Sequence, residues 1–178
     1  MNTFFSSIRL FRPANIFLGG GTVIISAAIV GSLSQTELLI RGIIVVMAFT
    51  GATNALNDYL DLETDMINKK TRPLIEGTLL PRTAVILSIS LYTIGTFVAL
   101  SLPKPALIIS VGIAMPLMLI YNFWLKGTVL IGNVVVFVII AMTFLFSGAL
   151  FSKPALMITP ALLAFAFTLT REFIKDIA

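Results

Sequence analysis

The chain has no cysteine and no histidine among its 178 residues. Their absence excludes disulfides, thiolate nucleophiles, imidazole bases and every metal site built on sulfur or imidazole. Any bound metal must rest on oxygen ligands, which suits Mg²⁺, Ca²⁺ or Mn²⁺. Charge is scarce too. Charged residues make up 11% of the chain and hydrophobic residues 58%, whereas a soluble domain usually carries about 25% charged residues. A soluble fold of this length could not cover so much apolar surface with so few charges. The net charge of +4 fits basic loops on one side of a membrane and gives no reason to expect nucleic acid as a partner.

What the chain does have is long apolar runs, the mark of helices that cross a bilayer. Six can be drawn, from Asn15 to Val30, Leu38 to Asn57, Thr83 to Leu102, Ala106 to Tyr121, Val129 to Phe151 and Ala155 to Phe173. The first lacks a small-residue cleavage site and five more follow it, so it reads as a retained helix rather than a signal peptide. The expected fold is an all-α, polytopic transmembrane bundle of about six helices, a single domain over residues 1–178.

Basic residues give the orientation. Arg9, Arg12, Lys69, Lys70, Arg72, Arg82, Lys126, Arg171 and Lys175 fall on one side, and Arg41, Lys104 and Lys153 on the other. Nine against three places the first side in the cytoplasm, with the plasma membrane as the expected location. All the acids except Glu37 share that side. The positive-inside rule does not explain their clustering.

The segment from Asn54 to Asp65 is the most informative. With about 100° per residue, Asp58, Asp61 and Asp65 fall in one sector of about 60° at the end of the second helix, and Asn54 lies in the same sector one turn deeper. Three carboxylates on one stripe repel each other and are costly near a membrane unless they are used. Mg²⁺ keeps several waters and is usually held by one or two carboxylates together with substrate phosphates. The stripe therefore suits a Mg²⁺–diphosphate complex. The plainer alternative is a solvated helix end, partly paired with Lys69, Lys70 and Arg72. Those three bases follow in the long polar connection Tyr59–Arg82, and they can also offer charge to phosphate oxygens, Arg72 bidentately.

In order and spacing these residues resemble the UbiA-type membrane prenyltransferases. Asn57-Asp-Tyr-Leu-Asp61-Leu-Glu-Thr-Asp65 is similar to that family's first Asp-rich motif, and Asn68-Lys-Lys-Thr-Arg72-Pro73 with Gly77 to the stretch after it. Arg12-Pro-Ala-Asn15 resembles the opening of many members. Tyr121-Asn-Phe-Trp-Leu-Lys126, followed by Gly132-Asn133, resembles the Tyr/Lys loop. Arg171-Glu-Phe-Ile-Lys-Asp176 resembles the start of a second Asp-rich motif.

The resemblance implies nine transmembrane helices around a central cavity, with the two acidic motifs facing each other at the cytoplasmic end. It implies Mg²⁺-dependent transfer of a prenyl group from a prenyl diphosphate to a membrane-associated acceptor. The wording is most similar to the subgroup that prenylates geranylgeranylglyceryl phosphate to a diether lipid. Carried over by position, Asp58, Asp61, Asp65 and Asp176 are the implied metal ligands. Asp58, Asp61, Arg72 and Lys126 carry the catalysis. Arg12, Asn15, Asn54, Asn57, Lys69, Tyr121, Arg171 and Asp176 contact substrate. Trp124 departs from the pattern, because many relatives have a basic residue there. The chain also stops at Ala178, where the second motif should continue and three more helices should follow, so the expectation is a C-terminally incomplete enzyme. Two alternatives stay open: an aromatic acceptor such as 4-hydroxybenzoate, and an inactive or cation-binding membrane protein.

Overall fold

The computed structural model describes residues 3–177, except for the side chains at 3, 4, 129, 130 and 171–177. It contains eight helices, and the described residues include no strand. They are α1 (Thr3–Leu10), α2 (Pro13–Ile29), α3 (Thr36–Leu60), α4 (Leu62–Ile67), α5 (Pro81–Ala99), α6 (Lys104–Leu125), α7 (Val129–Leu150) and α8 (Pro154–Ile177). Within α3, α5, α6 and α7 lie spans long and apolar enough to cross a membrane, and α2 and α8 carry shorter apolar stretches. These six are the expected segments. The two short helices α1 and α4 are additions to that expectation.

Proline sets several starts. Pro13, Pro81 and Pro154 open α2, α5 and α8, positions where a missing N–H costs nothing and the fixed φ is already helical. The apolar runs alone place two of these starts two residues late. Left-handed residues set several stops. After α2, Gly31 (φ 67°) donates to Ala28 O, and Ser32 N donates to Ala27 O at 2.8 Å. The same paired closure recurs at Lys69 (φ 51°) after α4 and at Ser152 (φ 58°) after α7. It satisfies helix-end carbonyls and reverses the chain within a few residues.

Helix α6 is not uniform. Its turns Ile108–Ala114 and Tyr121–Leu125 are π-helical, with α-helical turns between. Such turns widen a helix by one residue and are frequent at functional sites.

Packing is close where residues are small. A methyl group on Gly95 of α5 would lie 2.5 Å from Phe49 Cε1 and 3.2 Å from Ala48 Cβ, both on α3. Ser88 Oγ on α5 donates to the Ala52 carbonyl of α3 at 2.9 Å. Contact of this kind joins helices in a bilayer, where apolar surface gains nothing by leaving lipid. One core, including Val23, Val45, Phe49, Phe146, Leu150 and Met157, joins α2, α3, α7 and α8. A second, of Leu10, Ala55, Leu74, Leu79 and Ala84, seats α1 and the connection after α4 on α3 and α5. That second core holds the loop carrying Arg72 in place.

The polar groups sort to two ends. At one, Arg41 pairs with Glu37 and reaches the Ser101 carbonyl, and Lys153 Nζ donates to Val30 O at 2.6 Å, at the C-terminal end of α2. At the other lie the acidic segment and the bases that face it.

Candidate functional site

The stripe of acids survives, but on two helices. Helix α3 ends at Leu60, and α4 begins again at Leu62 after Asp61 (φ −88°, ψ 0°). The i→i−4 bonds Asp61 N→Asn57 O and Asp65 N→Asp61 O bridge the break at 3.0 and 2.8 Å, so the three carboxylates keep a common face. The difference from a single continuous helix is one residue of non-helical geometry.

Arg72 stands at the centre of this face. Its Nη1 lies 2.5 Å from Asp58 Oδ1, 2.7 Å from Asp65 Oδ2 and 4.0 Å from Asp61 Oδ2. Arg12 Nη2 donates to the same Asp58 oxygen at 2.5 Å. Lys126 Nζ pairs with Asp61 and donates to Asn57 Oδ1, and Lys70 Nζ lies 2.8 Å from Asp65 Oδ1. Four bases from three separate stretches of chain thus meet three acids. The pairing expected of a plain solvated helix end is present, yet Asp58 and Asp65 are only 4% and 1% exposed. Taking a carboxylate out of water is costly unless it is paired and hydrogen-bonded, and the facing bases supply that pairing.

The backbone explains the choice of bases. Lys69 takes the left-handed position that closes α4, and its side chain is exposed. The turn hands the role to Lys70 and sends the chain back toward the stripe at Arg72. Arg12 also has a positive φ, 52°, where α1 turns into α2. Asn54 Nδ2 donates to Phe11 O at 2.9 Å and so ties that corner to α3. Asn54 is therefore a brace for Arg12. A bidentate pair, Arg9 to Glu76 at 2.8 and 2.9 Å, fastens α1 to the loop carrying Arg72. The Arg9 hydrogen bonds hold the Glu76 carboxyl below its ordinary range.

Next to this cluster is a cavity of about 480 Å³ between α2, α3, α6 and α7, inside the roughly 300–1,000 Å³ range of small-molecule sites. Arg12, Asn15, Asn57 and Tyr121 line it at the charged end, and Phe49, Met118, Ile140 and Phe146 line its body. Sequence reading missed two features. Lys70 reads only as one base of a run, and Asn122, 5% exposed and part of the cavity wall, reads only as one residue of the Tyr121–Lys126 stretch. The side chains of Arg171 and Asp176 lie outside the described residues, and so does any contribution of Asp176 to a metal.

A hard divalent ion fits the donors that are present. Every candidate ligand is a carboxylate oxygen. Both Asp65 oxygens are shielded from solvent and meet their bases at charge-pair distance without an aligned hydrogen bond. Among the described residues, no three acidic groups close around one metal-sized point. A divalent ion there would have to complete its shell from water or phosphate oxygens.

The model of the UbiA prenyltransferase family matches residues 18–178. The chain is 33% identical over 171 residues to the digeranylgeranylglyceryl phosphate synthase of Natronomonas pharaonis, covering 96% of this chain and 61% of that protein. It is 32% identical to the enzyme of the same name from Methanopyrus kandleri (96% and 62%) and 36% identical to that of Methanospirillum hungatei (95% and 61%). The chain thus spans about three fifths of the length of these curated relatives. A solved structure concerned with digeranylgeranylglyceryl phosphate synthase in membranes superposes with a TM-score of 0.84 at 27% identity, covering 99% of this chain and 63% of the other.

Proposed function

This chain belongs to the UbiA prenyltransferase family, and from that premise we propose that it carries the diphosphate-binding part of a Mg²⁺-dependent prenyltransferase. The prenyl donor is geranylgeranyl diphosphate and the acceptor is geranylgeranylglyceryl phosphate. The observation that carries this reading is the junction of a charged cluster with an apolar cavity. Arg12 and Asn57 line one end of a space whose body is hydrocarbon, and they bond to Asp58 and Lys126 of the cluster that also holds Asp61, Asp65 and Arg72. A molecule with a diphosphate head and a prenyl tail has that shape and polarity.

The charged end decides recognition. Lipid tails are as apolar as leucine, so a prenyl chain moving from bilayer to cavity gains little. Charge-assisted hydrogen bonds to phosphate in a water-poor site gain more. Arg12, Arg72 and Lys126 are the donors for the leaving diphosphate. Asp58, Asp61 and Asp65 hold the cation and orient those bases. When bound, Mg²⁺ supplies neutralisation of the phosphate oxygens. The allylic carbon–oxygen bond breaks as the acceptor oxygen bonds to that carbon, and positive groups fixed beforehand around the departing anion are the largest aid available. No covalent nucleophile is needed, in keeping with a chain that has neither Cys nor His. The basic end faces the cytoplasm of a plasma membrane; nine bases against three support that orientation.

The test is a transfer assay in proteoliposomes with labelled geranylgeranyl diphosphate, with Mg²⁺ or EDTA, beside Asp58→Asn. Geranylgeranylglyceryl phosphate and 4-hydroxybenzoate are the competing acceptors. A Mg²⁺-dependent lipid product absent from Asp58→Asn is expected. Product from 4-hydroxybenzoate alone would reassign the acceptor.

A further inference from the structure

The cavity has a neighbour. A groove of about 330 Å³ lies between α5 and α6, lined by Tyr92, Thr93, Thr96, Phe97, Leu100 and Met115. None of these is charged, and Phe97 and Leu100 are open to the outside, 70% and 61% exposed. One wall separates the two spaces. Phe49 and Thr53 of α3 and Met118 of α6 stand on its cavity side. Tyr92 of α5 and Met115 of α6 stand on its groove side.

Tyr92 closes that wall. Its hydroxyl meets Thr53 Oγ1 at 2.7 Å, and Thr53 Oγ1 donates to Met118 Sδ at 3.3 Å. Thr53 has one hydroxyl hydrogen and the sulfur can only accept it. Tyr92 therefore donates to Thr53, and two bonds run in series from α5 through α3 to α6. The Tyr92 ring also leans on Phe49, with centroids 5.7 Å apart, inside the usual range for paired aromatics. Gly95, one turn further along α5, leaves the space that the Phe49 ring fills.

The wall stands at the depth of a tail. Thr53 and Phe49 precede Asp58 by five and nine residues of α3, about 8 and 14 Å along the axis. With a diphosphate at the acids, only hydrocarbon reaches that far. A tail gains little from apolar walls that lipid does not already offer, so what the walls decide is which way it can run.

We propose that Tyr92 is a specificity-determining residue for the length of the prenyl tail: latched to Thr53, it bars the tail from the α5–α6 groove and confines it to the cavity. The inference rests on the prenyl-transfer reading and deepens it. A donor longer by one isoprene unit cannot extend past the Tyr92 ring. A small residue in its place joins groove to cavity and admits the extra unit.

Binding tests it. Wild type, Tyr92→Ala and Phe97→Ala are titrated in nanodiscs with unreactive geranylgeranyl thiolodiphosphate and with its homologue one isoprene unit longer. Tyr92→Ala is expected to raise affinity for the longer chain, relative to the shorter, by about tenfold. Phe97→Ala widens the groove but leaves the wall, so its ratio should match wild type. If Tyr92→Ala fails to fold, Thr53→Val breaks the latch at nearly constant volume, and a smaller rise of the same sign is expected. A diazirine at the end of the longer tail locates it: crosslinks should fall on cavity residues such as Phe146 in wild type, and on Thr96 or Leu100 in Tyr92→Ala. The proposal is overturned if the ratio does not change, if both affinities fall together, or if wild type is already labelled in the groove. A wild type that binds neither thiolodiphosphate sinks the prenyl-transfer reading and this proposal with it; binding with an unchanged ratio sinks this proposal alone.

Discussion

Arg12 and Arg72 donate to the same oxygen of Asp58, each at 2.5 Å. Two guanidinium groups this close are tolerable only because one buried carboxylate lies between them. Asp58→Asn leaves both charges without that partner. Removing one member of a buried ionic set costs about 3–5 kcal/mol, so Asp58→Asn should lower the melting temperature in detergent as well as abolish transfer. Unchanged melting would show that the arginines find other acceptors.

Arg72 bridges Asp58 and Asp65 through a single nitrogen. Arg72→Ala removes both the bridge and a donor to the leaving group. Loss of one such donor typically lowers kcat by about 10²–10³-fold. Arg72→Lys keeps a charge that can reach both acids and should retain part of the rate. Steady-state kinetics with geranylgeranyl diphosphate would check the order wild type, Lys, Ala; equal activity of the two variants would count against a charge role.

These two effects were legible in part before the structure. The period of the helix put Asp58, Asp61 and Asp65 on one face, and neither the break at Asp61 nor its two-residue neighbourhood disturbs that. Which base serves them was not legible. It depends on Lys69 having φ 51°, a property of a turn rather than of composition. Hydropathy likewise found the apolar segments but treats π and α turns alike, so the widened turn that carries Asn122 left no mark in the sequence.

Lys69 is a long side chain in a conformation that glycine adopts freely. Lys69→Gly should stabilise the fold by about 1 kcal/mol. Thermal unfolding measures it, and a clear loss of stability would mean that the lysine side chain contributes a contact of its own.

Gly95 offers a packing test that reaches the cavity. A methyl group there meets the Phe49 ring at 2.5 Å, and Phe49 lines the cavity. Gly95→Ala should destabilise by about 1–3 kcal/mol and weaken geranylgeranyl diphosphate binding as the ring is pushed inward. Gly112→Ala, whose nearest neighbour is Ile108 at 3.8 Å, should do neither. The pair is compared by melting and by ligand titration.

The Arg9–Glu76 pair carries a pH signature. Hydrogen bonding to Arg9 lowers the Glu76 carboxyl from its ordinary value of 4.5. A lowered carboxylate stabilises the fold above its unfolded value and loses that contribution as pH falls through the folded one. The melting temperature of wild type should therefore drop on acidification below about pH 4.5 by more than that of Glu76→Gln. Parallel curves would show that the pair does not couple α1 to the loop.

The π turn at Tyr121–Leu125 also constrains how this chain can tolerate insertion and deletion. Such a turn holds one residue more than an α turn does. A one-residue deletion there can be absorbed by a return to ordinary winding, which turns the chain through nearly the same angle with one residue fewer. Lys126 would keep its direction toward Asp61. Between Tyr121 and Lys126 the phase of the helix matters more than the count of residues, and a homologue one residue shorter in that stretch can build the same charge pair.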